Sequence, residues 1–549
     1  MGTSPNKFWL ALCLILFAGL LLRLPNLNES LWNDEIWSTR VLMGSLAALY
    51  HTVLDDWHPP FYQAFMFVWI RLFGDSELSV RMPSLLCGIS SIFLVYALAS
   101  EVVGRKTALL TSFLMAVSPA HIWYSQEARP YSLLSFFLLL ALVAYLRLKE
   151  PEPHRIWFLI YFGSLFSSAM THYYLGVYVA LISVICFLDQ HQRKRAILAM
   201  NFLILVCLAA WIVTVFALMG VPTGGGYLRA FTFHALWRLF FTWFLFGDSW
   251  GAEWRHWEMP SAQIFFLVVF IYGVTLMLLR KPVGQVTNLS YRFSEKTWGA
   301  LNLVWFLFAL PVFLLVATAF GFRGYVERSM FVALPFFYIV ISRGVIGIAD
   351  APLSDRFGSF GRTFVKTFGG VCVGVVISLN IFTLKEYFRR DEEWTVYKPN
   401  PDWRSTARYL ENEISRSSEQ PVIFAVIPPL ELTYYNSRFR SVGGNSLGRE
   451  EAQKFWGIYS RPSHIENVHE VLSKSGARKF YLIHNKYWSG RFNDVFKNLL
   501  KDPGLQYHNK QSFKGIDVHS FMLRADMDEE SALGNMRNGQ SSQFDYPSL

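Results

Sequence analysis

The sequence predicts an α-helical polytopic membrane protein with a small α/β domain in its C-terminal part. Of its 549 residues, 53% are hydrophobic and 16% are charged, whereas soluble domains usually contain about 25% charged residues. Long apolar runs recur up to residue 384, and the chain beyond it has the mixed composition of a soluble domain. This composition excludes a disordered chain, a collagen-like chain and a disulfide scaffold.

The apolar runs place the membrane spans. Each is near the length that crosses ~30 Å of hydrocarbon. The runs lie at residues 8–24, 81–100, 107–124, 130–148, 156–172, 173–188, 196–219, 261–280, 297–320, 329–347 and 364–384. The sequence Arg23-Leu24-Pro25-Asn26 follows the first run in place of a small-residue cleavage site, so we expect an uncleaved first span.

Two further apolar segments leave the number of spans open. Residues 59–73 are short for a span and contain Gln63 and Arg71, so we interpret them as re-entrant or interfacial. Residues 234–247 are rich in aromatic side chains and contain Arg238, which favours a helix in the membrane interface; a twelfth span is the alternative. The sequence thus predicts about 11–13 transmembrane helices.

The positions of the basic residues predict the orientation in the membrane. Basic clusters occur at 105–106, 147–155, 193–195, 280–296 and 356–366. If residues 59–73 do not cross, every cluster falls on the cytoplasmic side, as the positive-inside rule requires. The N-terminus is then inside, residues 25–80 form a large outer loop, and the chain from 385 is outside. We therefore expect a multi-pass protein of the cytoplasmic (inner) membrane.

The predicted domains follow the change in composition. Residues 1–384 form a transmembrane domain that includes the loop 25–80, residues 385–524 form a soluble extracytoplasmic α/β domain, and residues 525–549 form a disordered tail. Residues 385–549 hold 23 Lys and Arg and 21 Asp and Glu, about half of all charges. Helical spacing over 402–417, short strand-like runs at 421–427 and 479–483, and a Ser/Asn/Gly-rich end support this division.

The first predicted outer loop contains an unusual acidic pair. Asp34 and Glu35 stand between Trp32 and Trp37 at a membrane surface. On a helix the two side chains point in different directions, so one can act while the other is anchored. Such a pair could deprotonate a hydroxyl group or bind a divalent cation. A solvated pair of loop acids is the alternative.

Other outer segments contain residues suited to an anion. His58 precedes Pro59-Pro60 at a predicted helix start, where anions are favoured. Arg129 can clamp a phosphate with its planar guanidinium group, and Glu127 can orient it. Three more candidates lie on later outer segments, namely His172, Arg323 and Arg328. Structural hydrogen bonding of His58, a Glu127–Arg129 ion pair and interfacial anchoring of the later arginines are the alternatives.

Residues 31–147 resemble the bacterial membrane glycosyltransferases that are related to protein O-mannosyltransferases and aminoarabinose (lipid A) transferases, within the GT-C superfamily. The resemblance rests on the order and spacing of several motifs. These are Asp34-Glu35, His58-Pro59-Pro60-Phe61-Tyr62, Phe73-Gly74-Asp75-Ser76-Glu77, Arg81-Met82-Pro83-Ser84, Ser118-Pro119 and Tyr124-Ser125-Gln126-Glu127-Ala128-Arg129-Pro130-Tyr131. His172 and Glu327-Arg328 also look family-like.

The resemblance implies an inverting enzyme that takes a sugar from a polyprenyl-phosphate donor on the outer face of the membrane. The acceptor would be an envelope glycolipid, polysaccharide or protein. By carry-over, Asp34 matches the catalytic acidic position of the first loop, with Glu35 beside it. The substrate-binding candidates are His58, Glu127, Arg129, Tyr131, His172, Arg323 and Arg328.

The expected partners are the lipid-linked sugar donor, the envelope acceptor and the bilayer, with no nucleic acid. We expect no cofactor; a divalent metal is possible but not favoured, because the sequence has no metal-ligand cluster beyond scattered acids. Two other functions stay open. A transporter or flippase of lipid-linked sugars should show internal repeats, which we do not find. A non-catalytic assembly protein is the other alternative. The sugar and the acceptor cannot be read from the sequence.

Overall fold

The computed structural model describes residues 5–39, 53, 58–189, 192–219, 229–247, 258–278, 290–350, 358–389, 400–417, 421–425, 430–436, 438–441, 456–459, 468–486 and 492–524. The chain divides into two compact units. The helical unit comprises Met1–Leu27 and Val41–Tyr397, and the C-terminal unit comprises Asn28–Arg40 and Lys398–Leu549. Residues 525–549, predicted to be disordered, lie outside the described residues.

The helical unit is built from apolar helices joined by short connections. Its helices are α1 (Pro5–Leu21), α3 (Phe61–Phe73), α4 (Glu77–Val102), α5 (Arg105–Val117), α6 (Pro119–Ser125), α7 (Tyr131–Leu148), α8 (Ile156–Ala169), α9 (Leu175–Leu188), α10 (Lys194–Met219), α11 (Phe233–Arg238), α12 (Phe244–Phe246), α13 (Glu258–Leu278), α14 (Ser290–Ala319), α15 (Leu334–Ala349) and α16 (Gly358–Arg389). A π-helical turn, Leu239–Trp243, joins α11 to α12, and a 3₁₀ helix, Glu327–Ala333, precedes α15.

Every predicted span coincides with helix, which confirms the polytopic α-helical fold class. Within the described residues, seven helical segments are long and apolar enough to cross a membrane. Five apolar helical segments of 10–17 residues accompany them. The number of helices with full crossing length is therefore smaller than the 11–13 expected, because several apolar runs form helices that stop short of 18 residues.

The predicted span 107–124 is in fact two helices, α5 and α6. The oxygen of Ser118 accepts a hydrogen bond from the backbone N–H of His121 at 3.2 Å, and Pro119 occupies the first turn of α6. A serine cap followed by proline is a strong signal for a new helix start, since proline has no N–H to continue the preceding helix. The apolar run hides this break because both helices are buried.

The two ambiguous segments are also helical. The helix α3 has 13 residues, which corresponds to about 20 Å and is shorter than the ~30 Å hydrocarbon core. It ends at Gly74, whose φ of 81° suits glycine and whose N–H bonds the carbonyl of Ile70 at 2.8 Å. Residues 233–246 form one helical segment, and its second half, 239–246, is buried in the helical unit. This burial differs from the interfacial position expected for 234–247.

Two glycines allow α13 and α15 to pack backbone against backbone. A Cβ atom on Gly273 would lie 2.2 Å from the carbonyl oxygen of Val340, and one on Gly344 would lie 2.2 Å from that of Val269. Any side chain at either position would push the helices apart. Small residues at such crossings are typical of membrane helices, where association depends on close van der Waals packing.

The C-terminal unit is an α/β domain, as predicted. Its six strands are ordered β2-β3-β1-β4-β6-β5. The strands are β1 (Val422–Ala425), β2 (Phe439–Ser441), β3 (Trp456–Tyr459), β4 (Lys479–Asn485), β5 (Leu505–Phe513) and β6 (Ile516–Leu523), and the helices are α2 (Asn33–Thr39), α17 (Trp403–Arg416), α18 (Leu430–Tyr435), α19 (Val468–Ser475) and α20 (Phe492–Lys501). The first four strands in chain order pair in parallel, and β4, β6 and β5 pair antiparallel. Two apolar clusters form its core.

One boundary differs from the sequence-based division. Residues 28–40, expected to belong to the transmembrane domain, are part of the C-terminal unit. The physical reason is a set of hydrogen bonds to residues of the last third of the chain, described below. Contacts across such a sequence separation leave no local pattern in the sequence.

Candidate active site

The acidic pair lies in the first turn of α2, within the C-terminal unit. The side chain of Glu35 is fully buried, and its Oε2 accepts hydrogen bonds from the N–H of Trp32 at 3.3 Å and from Nδ2 of Asn400 at 3.4 Å. A glutamate at the third helical position that reaches back to the cap residue is half of a capping box. Asp34 is partly exposed. The structure thus gives the two acids different environments, with Glu35 anchored and Asp34 accessible.

The segment before α2 is fastened to distant parts of the C-terminal unit. The N–H of Leu31 donates to the hydroxyl of Tyr435 at 2.7 Å, and Nδ2 of Asn400 donates to the carbonyl of Ser30 at 3.0 Å. Nζ of Lys514 lies 2.6 Å from a carboxylate oxygen of Glu29. Three separate elements of the C-terminal unit therefore fix the chain that leads into the acidic pair.

Two candidate histidines meet in the helical unit. The rings of His58 and His172 have centroids 5.5 Å apart, and the N–H of Phe61 donates to the carbonyl of Met170 at 2.9 Å. His172 is buried, and its Nδ1 accepts from the N–H of Tyr174 at 3.3 Å. An accepting Nδ1 in a neutral ring leaves the hydrogen on Nε2.

The candidates Glu127, Arg129 and Tyr131 follow α6. Glu127 is buried, and Arg129 is half-buried with its guanidinium carbon 6.0 Å from the ring centroid of Tyr131. The N–H of Arg129 bonds the carbonyl of Glu127 at 2.8 Å, and the hydroxyl of Ser84 bonds the carbonyl of Arg129 at 3.1 Å. These bonds fix the backbone of the connection between α6 and α7.

Tyr124 joins this connection to the segment before α15. Its hydroxyl interacts electrostatically with Glu127, Tyr131, Glu327 and Arg328. The hydroxyl of Tyr174 also donates to the carbonyl of Gly324, which ties the histidine pair to the same segment. We call the set of His58, Glu127, Arg129, Tyr131, His172 and Arg328 the polar end of the helical unit.

Arg323 is exposed. Sequence reasoning missed Arg229 instead. Its backbone pairs with that of Tyr325, and its guanidinium group lies 3.8 Å from the carboxylate of Glu327. Arg229 is the one arginine between residues 220 and 237, in the first half of the long predicted outer loop. An isolated arginine in an outer loop is the sequence signal that could have identified it as a candidate.

Three of the predicted basic clusters, 105–106, 147–155 and 193–195, lie at the other ends of the same helices. Lys106 lies 3.2 Å from Asp350, and Lys149 lies 2.6 Å from Asp189. Arg147, in the last turn of α7, pairs with Glu150 at 2.8 Å. The helix α7 begins at the polar end and finishes here. The helical unit therefore separates a polar end, with six of the substrate-binding candidates, from an end with these three basic clusters.

A fully buried arginine supports the polar end. In the sequence it stood out only as the start of the segment that follows the first span in place of a cleavage site. Arg23 follows α1 and has no exposed surface. Its guanidinium group donates five hydrogen bonds of 2.7–3.2 Å, to Gly19 O, Met115 O, Ala116 O, Ser125 Oγ and His121 Nδ1. All five N–H donors of the side chain are thus used.

Gln126 connects the same region to α16. Its Nε2 donates to the carbonyls of Arg23 at 2.9 Å and Pro25 at 2.5 Å, and its Oε1 accepts from the hydroxyl of Tyr387 at 3.0 Å. Gln126 directly precedes Glu127. The backbone that presents the polar end is therefore held by buried polar contacts to α1, α5 and α16.

Among the residues that the structure describes, one group has metal-ligand spacing, and it lies in the C-terminal unit. The ligand atoms of His484, Asp517 and His519 lie within 4.8 Å of one another. The carboxylate of Asp517 already pairs with Lys486 at 3.2 Å and with Lys510 at 3.7 Å. The positive charges of these two lysines would repel a metal ion at the same carboxylate. Burial lowers the pKa of His519 to about 4, assisted by His484 and Lys510 and opposed by Asp517. Both histidines therefore belong to a packed, neutral cluster.

Comparison with known proteins relates the chain to membrane sugar transferases. A family model described as dolichyl-phosphate-mannose-protein mannosyltransferase matches residues 57–219. The crystal structure of ArnT from Cupriavidus metallidurans in the apo state is 13% identical, with a TM-score of 0.55, over 94% of this chain and 98% of that chain. The same protein bound to undecaprenyl phosphate gives a TM-score of 0.51. The oligosaccharyltransferase of Archaeoglobus fulgidus is 12% identical, with a TM-score of 0.51, over 90% of this chain and 71% of that chain.

Two curated relatives of Bacillus subtilis (strain 168), YkcB and YycA, carry names that describe mannosyltransferases. YkcB is 34% identical over 83 residues, which is 15% of this chain and 12% of YkcB. YycA is 26% identical over 175 residues, which is 29% of this chain and 24% of YycA. The chain thus spans less than a quarter of the length of either relative.

Proposed function

From the premise that the chain has the fold of the GT-C superfamily of membrane glycosyltransferases, we propose that it transfers a sugar from a polyprenyl-phosphate donor to an acceptor in the cell envelope. The observation that supports this function best is the polar end of the helical unit. There, side chains from three connections that are far apart in sequence come together beside buried apolar helices. A lipid-linked phosphate needs such a combination of apolar and cationic surroundings.

The polar end has the chemistry that a phosphate leaving group requires. Arg129 and Arg328 supply fixed positive charge, and the guanidinium fork of Arg129 suits two phosphate oxygens. The Nε2–H of His172 adds a neutral donor. Donors that are already in place when charge develops on the leaving oxygen stabilise the transition state strongly. Undecaprenyl phosphate in the ArnT structure and dolichyl-phosphate-mannose in the family description support a lipid-phosphate donor, with mannose as the first sugar to test.

Asp34 is our candidate for the acceptor base, because its side chain is partly exposed while that of Glu35 is fully buried. In the proposed reaction, Asp34 takes the proton of an acceptor hydroxyl. The acceptor oxygen then forms a bond to the anomeric carbon as the bond from that carbon to the phosphate oxygen breaks. A single displacement of this kind inverts the anomeric configuration. The products are the glycosylated acceptor and the polyprenyl phosphate, and no step requires a metal ion.

The proposed location is the cytoplasmic membrane, with the polar end and the C-terminal unit on the extracytoplasmic side. Reporter fusions test this orientation. Fusions after residues 128, 225, 325 and 400 should report outside, and fusions near 105, 192 and 288 should report inside. An inside signal at 128 would refute both the orientation and the donor site.

The function itself is tested with the purified full chain in vesicles that contain synthetic polyprenyl-phosphate mannose and extracted envelope acceptors. We expect a new glycosidic bond by mass spectrometry and a loss of about 10²-fold or more in Asp34→Asn. Glu101→Gln, an exposed acid near the basic clusters, is the matched control and should transfer normally. Donor movement across the vesicle membrane without a new glycosidic bond would favour a flippase and contradict the proposal. Mass spectrometry of the cell envelope with and without the gene then identifies the acceptor.

A further inference from the structure

We propose that Ser84 is a positioning residue for Arg129. This role accounts for a motif that the proposed function leaves unused, Arg81-Met82-Pro83-Ser84. Ser84 acts through Arg129, so its role rests on the proposed function, in which Arg129 binds the leaving phosphate. All the residues that carry the role belong to the helical unit.

Ser84 bonds the backbone of Arg129 from a different helix. The side chain of Ser84 is buried in α4, and its hydroxyl donates to the carbonyl oxygen of Arg129 at 3.1 Å. Arg129 lies in the short connection between α6, which ends at Ser125, and α7, which begins at Tyr131. The bond fixes the carbonyl group next to the Cα atom of Arg129. It therefore limits the directions in which the guanidinium group can extend.

A glycine lets α4 approach the end of α6 closely enough for this bond. A Cβ atom on Gly88 would lie 2.2 Å from Oγ of Ser125, the last residue of α6. Ser84 and Gly88 are four residues apart and share one face of α4. A side chain at position 88 would push α6 away from this face and lengthen the bond from Ser84 to Arg129.

A proline in the motif joins the same turn of α4 to α3. Pro83 lies inside α4 and has no N–H for the carbonyl of Ser79, four residues before it. Nε1 of Trp69 on α3 donates to that carbonyl instead, at 2.9 Å. The break in the helical hydrogen bonds next to Ser84 is therefore compensated by a bond to a neighbouring helix.

A buried arginine anchors the turn as well. Nη1 of Arg81 donates to the carbonyl of Leu27 at 2.8 Å. A hydrogen bond from a charged donor is stronger than one between neutral groups. Arg81, Ser84 and Gly88 have the spacing of one helix face. This face of α4 therefore contacts the segment after α1, the connection that carries Arg129 and the end of α6.

A positioning role makes two demands that a general contribution to stability does not make. A hydroxyl group at position 84 should suffice, whichever residue carries it. The effect of its removal should also depend on the side chain of Arg129, because without that side chain there is nothing left to position.

The test measures kcat/KM for synthetic polyprenyl-phosphate mannose with the purified full chain, at equal folded amounts and with Tm recorded for each variant. We expect Ser84→Ala to lose roughly 10-fold, since misplacement by about 1 Å can cost up to 10²-fold. Ser84→Thr keeps the hydroxyl and should stay within a few-fold of wild type. In an Arg129→Ala background, Ser84→Ala should change kcat/KM less than two-fold, because coupled residues are not additive. Ser84→Cys, with a weaker donor, provides the measurement if Ser84→Ala does not fold.

The matched control is Ser91→Ala on the same helix. Ser91 is also buried, but its hydroxyl bonds the carbonyl of Cys87 within α4 at 2.8 Å, so transfer should be unchanged. Normal transfer by folded Ser84→Ala would overturn the role of Ser84. So would an equal loss in Ser84→Thr or Ser91→Ala, or a full further loss in the Arg129→Ala background. If the wild type transfers and Arg129→Ala is impaired, these results refute the role of Ser84 alone; no transfer by the wild type would refute the proposed function.

Discussion

Replacement of Arg23 by lysine tests whether the geometry of this side chain, rather than its charge, holds the polar end. The carbonyls of Met115 and Ala116 lie in the last turn of α5, where carbonyl groups have no partner within the helix. Pro119 has no N–H that could bond Met115 O. The guanidinium group of Arg23 supplies donors to both carbonyls and so caps a helix from another part of the chain.

The magnitude follows from the number of donors. An ammonium group has three N–H donors where the guanidinium group has five, so Arg23→Lys loses at least two of the five hydrogen bonds. Hydrogen bonds to charged groups contribute about 1.5–3 kcal/mol each. The charge stays buried, so no desolvation cost is recovered. We expect the helical unit to lose about 3 kcal/mol or more, which corresponds to a fall of roughly 4 °C or more in Tm for a unit of this size.

The assay is thermal unfolding of the purified full chain in detergent, followed by tryptophan fluorescence. Arg105→Lys is the matched control. Arg105 is exposed, and its guanidinium carbon lies 5.9 Å from the ring centroid of Phe8 on α1, the helix that precedes Arg23. It should melt like the wild type. A Tm for Arg23→Lys within 1 °C of the wild type would show that charge alone suffices, and would refute the reasoning.

Three further predictions concern transfer and pH. Glu35→Gln keeps both accepted hydrogen bonds and should transfer within a few-fold of wild type, whereas Glu35→Ala should destabilise the start of α2 by about 0.5–2 kcal/mol and lower transfer. Arg129→Lys should lose about 10²-fold in transfer at normal stability, and Arg129→Ala should lose more. Arg147→Ala is the control and should transfer normally. If exchange of Glu127 and Arg129 restores transfer, the two residues form a structural ion pair instead. Burial lowers the pKa of His519 to about 4 in the folded chain, whereas a histidine in the unfolded chain has a pKa of about 6.5. As the pH falls below about 6.5, His519 therefore binds a proton in the unfolded chain before it does so in the folded chain. The stability of the C-terminal unit should therefore fall between pH 6.5 and 4 in thermal unfolding, and His519→Leu should flatten that dependence; an unchanged slope would contradict it.

Most helices of the helical unit are readable from the sequence because each is a nearly continuous run of apolar residues. The run 81–100, for example, lies within α4, and the run 130–148 matches α7 to within one residue. The α5–α6 break was also encoded, in Ser118-Pro119, but the hydropathy of 107–124 masks it. The grouping of candidate residues at one end of the helices follows from the alternation of spans and loops. Those predictions needed only local sequence.

The surroundings of Asp34 could not be read in this way. Tyr435, whose hydroxyl accepts a hydrogen bond from the N–H of Leu31, lies 404 residues later in the chain, and no periodicity links it to α2. The different fates of Asp34 and Glu35 depend on Asn400, which the sequence gives no reason to single out. Arg23 presents the same difficulty, because a buried arginine with five acceptors and an arginine at the membrane surface look alike in sequence.

The membership of residues 28–40 in the C-terminal unit has a consequence for biosynthesis. A ribosome adds about 5–20 residues per second, so α2 is made about 20–80 s before its partner Tyr435 in α18. During that interval its first amides have only water as partner. We expect the surroundings of the acidic pair to form last, after the final third of the chain has been synthesised. A nascent or truncated chain that ends at α16 would therefore keep the acidic pair but lack the contacts that fix it, and we expect such a chain to show no transfer in the assay proposed above.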